Sequence, residues 1–147
     1  MNESSFSQWL CNHLKKQGLF PQRLEVTTGA GIPDLAVLGI ERQFDTEDTE
    51  FHSHDPRAIH IPRSFFKTAW IELKWKTNHI RPEQYVWGKK ALDVGVCVNY
   101  VVGSEETIDL YSIHDAKPMK NSFKLTELVA SFPRNHKHIE DLILSLL

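Results

Sequence analysis

Phe6, Trp9, Leu10 and Leu14 recur at the i, i+3, i+4, i+8 spacing of an amphipathic helix, so the pattern predicts a helix over residues 3–17. Asn2 or Ser4 can serve as its N-cap, and Gly18 as its C-terminal stop. The period then drops to two. Leu24-Glu25-Val26-Thr27-Thr28 alternates and is rich in β-branched residues, Gly29 to Pro33 makes a turn, and Asp34-Leu35-Ala36-Val37-Leu38 reads as an antiparallel neighbour. Residues 41–64 turn polar, acidic and histidine-bearing, which predicts a long loop or hairpin outside the core. Strand character returns from Phe65 to Lys76. Pro82 at a first helical position introduces a helix over Glu83 to Asp93, and Gly95 stops it. Strands follow at Val96 to Val102 and Ile108 to Ile113, then helical stretches at Leu125 to Phe132 and His138 to Leu147. The sum is an α/β plan with a mixed central β-sheet flanked by helices, a single domain over residues 1–147 with a long inserted loop at about 41–64.

A chain of 147 residues with 41% apolar content can build its core without metal or disulfide staples. Its two cysteines, Cys11 and Cys97, lie in apolar contexts, as free thiols of a reducing compartment do. A cytoplasmic location is expected. No apolar run approaches a membrane span, and Met-Asn-Glu-Ser-Ser lacks the regions of a signal peptide, so no membrane partner is expected. The net charge of −2 argues against a surface that is basic all over. Charge is unevenly placed, however: Glu41 to Asp55 is acidic, whereas Lys74, Lys76, Arg81, Lys89 and Lys90 face only Glu83 within residues 74–90. A phosphate-facing surface is compatible with that distribution.

Two of the expected strands carry chemistry. Asp34 opens Asp-Leu-Ala-Val-Leu, and Glu72 and Lys74 alternate with Ile71, Leu73 and Trp75, so Glu72 and Lys74 share one face while the apolar residues enter the core. Two hard carboxylates and a lysine are the residue set of metal-dependent phosphodiester hydrolysis, with Mg²⁺, or Mn²⁺ as its substitute, as the cofactor. The bland alternative has Glu72 paired with Lys74 on a solvated strand face.

The order of Glu3 on the first helix, Gly31-Ile32-Pro33-Asp34, Trp70-Ile71-Glu72-Leu73-Lys74 and Arg81-Pro82-Glu83-Gln84 resembles the PD-(D/E)xK nuclease superfamily, and within it the small VRR-NUC and phage-type nucleases. The resemblance covers about the first two-thirds of the chain and implies a restriction-endonuclease-like core. It implies further that Asp34, Glu72 and the backbone carbonyl of Leu73 bind the metal, that Lys74 orients the attacking water, and that Gln84 lines the site. Glu3 either adds a carboxylate to the metal or its waters, or simply complements the helix dipole. Glu25 is a second candidate for that task.

Lys76, Arg81, Lys89 and Lys90 are candidate contacts to the DNA backbone, with solvated surface lysines as the alternative. Trp70, Trp75 and Trp87 either stack on unpaired bases or pack, and the phase of Trp75 with Ile71 and Leu73 sends it to the core. His52, His54, Asp55 and His60 offer metal-ligand chemistry, but solvent exposure is expected of them. The reading is thus a Mg²⁺- or Mn²⁺-dependent endonuclease acting on DNA, with branched or nicked substrates suggested by the resemblance. A homodimer would place sites on opposite strands, and the resemblance suggests a phage or mobile-element setting in a host cytoplasm. A catalytically silent binding module of the same fold, and an RNA-directed nuclease, are the alternatives.

Overall fold

The computed structural model describes residues 1–24, 31–43 and 64–146. Helix α1 (Glu3–Lys16) starts where the Asn2 side chain accepts the Ser5 N–H at 2.9 Å. It ends before Gly18, whose φ of +79° turns the chain away. Phe6, Leu10, Cys11 and Leu14 form its buried stripe.

Strand β1 (Phe20–Arg23) pairs antiparallel with β2 (Leu35–Gln43), Arg23 opposite Leu35. The first strand therefore begins four residues earlier than the reading of Leu24 to Thr28, and Glu25 lies outside the described residues. Pro21 is tolerated because β1 forms an edge of the sheet, where a missing N–H costs no ladder bond. Strand β2 runs past Leu38 to Gln43, with its register shifted between Val37 and Ile40. It pairs antiparallel with β3 (Ser64–Trp75), so both ends of the expected loop are strand. His52, His54, Asp55 and His60 fall outside the described residues.

A short strand, β4 (His79–Ile80), and helix α2 (Pro82–Asp93) carry the chain across to β5 (Val98–Gly103), which lies parallel to β3. Next comes β6 (Thr107–Ser112), antiparallel to β5. Strands β7 (Lys117–Pro118) and β8 (Phe123–Lys124) form a hairpin that joins β4 in a separate three-stranded sheet. The final strand, β9 (Glu127–Pro133), completes a six-stranded mixed sheet in the order β1-β2-β3-β5-β6-β9. A 3-10 turn (His136–His138) and helix α3 (Ile139–Ser145) close the described chain.

The helix expected over Leu125 to Phe132 is not formed. Ala130 and Phe132 alternate inward on β9, opposite Leu110 and Ile108, and the ladder to β6 overrides a local spacing that fits either element.

The expected plan of a mixed central sheet flanked by helices is present. One sheet face, with Val37, Ala69, Ile71, Leu73, Val101, Ile108 and Leu110, packs against α1 and α3. Val98 and Tyr100 lie on the other, packed with Ile80, Ala91 of α2 and Leu125. Cys11 and Cys97 are free thiols. Among the described residues no helix is long and apolar enough to cross a membrane.

Candidate active site

Asp34 stands immediately before β2 and is held from both sides. Its carbonyl accepts the Leu24 N–H at 2.9 Å, and its carboxylate accepts the Leu73 N–H of β3 at 2.8 Å. In an extended strand a residue's N–H and C=O point to the same edge, so the Leu73 carbonyl is also turned toward Asp34. Gly31 sets the approach: its φ is +86°, and an added Cβ would collide with the Glu83 carbonyl in the first turn of α2. Only glycine lets the loop before Asp34 rest on that helix.

Glu72 lies between these elements at 2% exposure, against the reading of a solvated strand face. Its Oε1 accepts the Gln84 amide at 2.6 Å and lies 3.7 Å from the Lys74 ammonium. Gln84, itself buried, has its other end occupied: its Oε1 accepts the Arg81 N–H at 2.8 Å, capping α2. One side chain thus closes the helix and fixes a carboxylate, and the backbone donor at Oε1 orients Nε2 toward Glu72. Burial first, and then the Asp34 carboxylate, push the Glu72 carboxyl up to about 9, while Lys74 pulls the other way and Glu3 adds a further negative charge. Without a cation Glu72 therefore keeps its proton at neutral pH, and its contact with Lys74 becomes an ion pair only on ionisation.

Glu3, Ser4, Ser7, Arg23, Leu24, Asp34 and Leu73 line a cleft of about 410 Å³ at the N-terminus of α1. A larger cleft of about 580 Å³, lined by Lys76, Asn78, Glu105, Glu106, Asp109 and Tyr111 among others, contains none of Asp34, Glu72 or Lys74. We place the candidate site at the smaller cleft because it opens onto Asp34 and onto Leu73, the neighbour of Glu72. Three hard oxygen donors, from Asp34, Glu72 and the Leu73 carbonyl, with a carboxyl held proton-bearing by burial and a like-charged neighbour, fit a small divalent cation.

Not every residue singled out from the sequence gathers here. Lys76 forms an ion pair with Glu105 at 2.5 Å, and Arg81 one with Glu83 at 3.6 Å. Lys89 and Lys90 are exposed, one to two turns beyond Gln84 on α2. Trp70 and Trp87 pack together with centroids 6.2 Å apart, and Trp75 leans on Phe6 at 5.6 Å. The sequence reading missed Arg23, because Pro21 hides the strand that presents it to the cleft. It also missed Tyr100, which is opposite Glu72 on β5 and has a buried hydroxyl without a hydrogen-bond partner among the described residues.

No family model and no curated protein matches the chain. Among solved structures it is similar to Hjc, a Holliday junction resolvase from the archaeal hyperthermophile Archaeoglobus fulgidus, with 12% sequence identity and a TM-score of 0.48 over 95% of this chain and 88% of that one.

Proposed function

We propose that this chain is a divalent-metal-dependent endodeoxyribonuclease of the PD-(D/E)xK type, hydrolysing phosphodiester bonds of DNA with Mg²⁺ or Mn²⁺. The observation that carries this reading is Glu72, a carboxyl 2% exposed, facing Asp34, and tied to Gln84 and Lys74. Burying Glu72 in its ionised form beside the Asp34 carboxylate costs several kcal/mol unless a cation joins them, so a fold that builds this arrangement favours an ion there.

Asp34, Glu72 and the Leu73 carbonyl would hold the cation, with Glu3 at the rim of the cleft. When bound, it supplies a water acidified enough to act as a nucleophile, and charge neutralisation on the phosphate. The protein's own groups do the rest. Asp34 accepts two backbone N–H groups, that of Leu24 at its carbonyl and that of Leu73 at its carboxylate, and the second orients the carboxylate. Gln84 holds Glu72 in a single position. Lys74 places an ammonium beside the same carboxylate, where it can hydrogen-bond a water and balance charge building on the phosphoryl oxygens. Arg23 offers a guanidinium to a phosphate in the cleft.

The test is cleavage of supercoiled, linear, nicked, single-stranded and four-way-junction DNA, with RNA in parallel, in Mg²⁺, Mn²⁺ or EDTA. Cutting is expected only with metal, and Asp34→Asn and Lys74→Ala should each lower it by about 10²–10³-fold or more while the protein remains folded. Light scattering on the same samples reads out a homodimer, which would present one site to each strand. Folded wild-type protein that cuts none of these DNA substrates, and whose Mn²⁺ binding is indifferent to Asp34→Asn, would sink the proposal.

A further inference from the structure

The three-stranded sheet has two unlike faces. Ile80, Phe123 and Pro118 are cross-strand partners in one row, and His79, Lys124 and Lys117 in the next. Successive strand residues point to opposite faces, so the two rows face opposite ways. The first is the inner one: Ile80 is 1% exposed, and the Phe123 ring stacks on Tyr85 with centroids 3.7 Å apart. The second row therefore faces outward, with Lys117 and Lys124 exposed.

Lys117 and Lys124 stand directly opposite each other, an arrangement that destabilises a bare sheet. Lys120 adds a third ammonium in the connecting turn, closed by the Met119 N–H to the Ser122 carbonyl at 2.8 Å. From Ala116 to Thr126 the sequence contains no acid. Asp115 and Glu127 flank the base of the hairpin, and Asp115 lies 3.5 Å from His114. None of the three lysines forms an ion pair with a described residue, whereas Lys76 and Arg81 each do. The hairpin is also firmly seated. Leu125 is fully buried and exchanges two 2.8 Å hydrogen bonds with Asn78, and His79 Nδ1 lies 3.0 Å from the Ser122 hydroxyl.

The row shares its support with the carboxylates, because Gln84, which touches Glu72, and Tyr85, which stacks on Phe123, are consecutive in the first turns of α2. Strands about 4.8 Å apart set the backbones of Lys117 and Lys124 about 5 Å from each other, with Lys120 further along in the connecting turn. That spread exceeds one phosphate, since phosphates of one strand follow one another at about 3.4 Å of helix axis per nucleotide. We infer that the outer face of the β4-β8-β7 sheet is a track for the DNA backbone, with Lys117, Lys120 and Lys124 on successive phosphates of the strand that leads to the carboxylates. The inference rests on the nuclease reading above.

Its test is binding of labelled duplex and junction DNA in EDTA, where no cutting occurs, across a salt series. Lys117→Ala combined with Lys124→Ala is compared with Lys15→Ala combined with Lys16→Ala, an equal loss of charge from the exposed last turn of α1. For two lost phosphate contacts the slope of log K against log salt should become shallower by about 1.8 in the first variant and stay unchanged in the second. The first variant's unfolding temperature should not fall, since it relieves a like-charge pair. Equal effects in the two variants, or an unchanged slope in the first, would overturn the track while leaving wild-type cutting, and so the nuclease reading, untouched. A wild type that neither binds nor cuts DNA overturns both.

Discussion

In the six-stranded sheet Glu72 is 2% exposed and contacted by Gln84 and Lys74 with Asp34 beside it, whereas in the three-stranded sheet Lys117 and Lys124 stand exposed, opposite each other and unpaired with any described acid. Both arrangements concentrate like charge, but the solvent decides what each one asks for. A carboxylate as deep as Glu72, with Asp34 beside it, cannot be neutralised by bulk counterions, so its environment selects a proton or a small cation at one point. Lysines in water are individually stable, and only an extended polyanion, releasing its condensed counterions, gains by lying along them. A buried carboxyl with a charged neighbour thus points to an ion, and an exposed row to a polymer.

The largest effect that can break this comparison lies at Glu72. Burial and the neighbouring Asp34 push its native carboxyl up to about 9 from an ordinary 4.5, so between those values the native state holds a proton that the unfolded chain has released. The native state binds more protons there, and the stability of the metal-free protein should fall as pH rises from about 4.5 to about 9. Urea unfolding in EDTA at pH 5 and pH 8 measures the fall, and Glu72→Gln should remove it. Mn²⁺ binding should tighten over the same range and release about one proton near neutrality, which calorimetry in buffers of different ionisation enthalpy detects. Identical pH dependence in wild type and variant would show that Glu72 is ionised without metal, and the contrast with the lysine row would collapse.

A middle-sized effect is expected at Gln84, whose side chain serves both Arg81 and Glu72. Gln84→Ala leaves a helix-capping N–H and a buried carboxyl each short of a partner, at a cost of about 1–3 kcal/mol in unfolding free energy. It should also lower kcat while leaving KM for DNA nearly unchanged. A change confined to KM would move Gln84 from holding the carboxylate to touching substrate. The smallest effect sharpens the picture of the surroundings. Tyr100 buries a hydroxyl without a partner among the described residues, so Tyr100→Phe should raise the unfolding midpoint by about 2–4 °C, corresponding to about 1 kcal/mol. A lowered midpoint would mean that the hydroxyl has a partner in solution.

Legibility in the sequence differed between the two regions for a physical reason. The period-two alternation of Ile71, Glu72, Leu73 and Lys74 and the Pro33-Asp34 turn encode strands and faces locally, and Pro82 encodes a helix start, so the elements bearing the carboxylates, the lysine and Gln84 were readable. Strands of two residues, such as β7 and β8, carry no period at all. Leu125, Leu128, Val129 and Phe132 fit a helical spacing while Ala130 and Phe132 fit a strand, and the pairing with β6 decided between them. Likewise Lys76 and Arg81 read as free cations until Glu105 and Glu83 were seen beside them.

The sequence by itself determined the α/β plan, the ends of α1 and α2, and which side chains of β3 share a face, because these follow from backbone geometry and solvent partition over a few neighbouring residues. Only the tertiary structure decided that Asp34 bonds the Leu73 N–H across 39 positions, that Gln84 reaches Glu72, and that Lys124 stands opposite Lys117. Those contacts depend on strand order and register, which are set by the packing of the whole sheet against its helices.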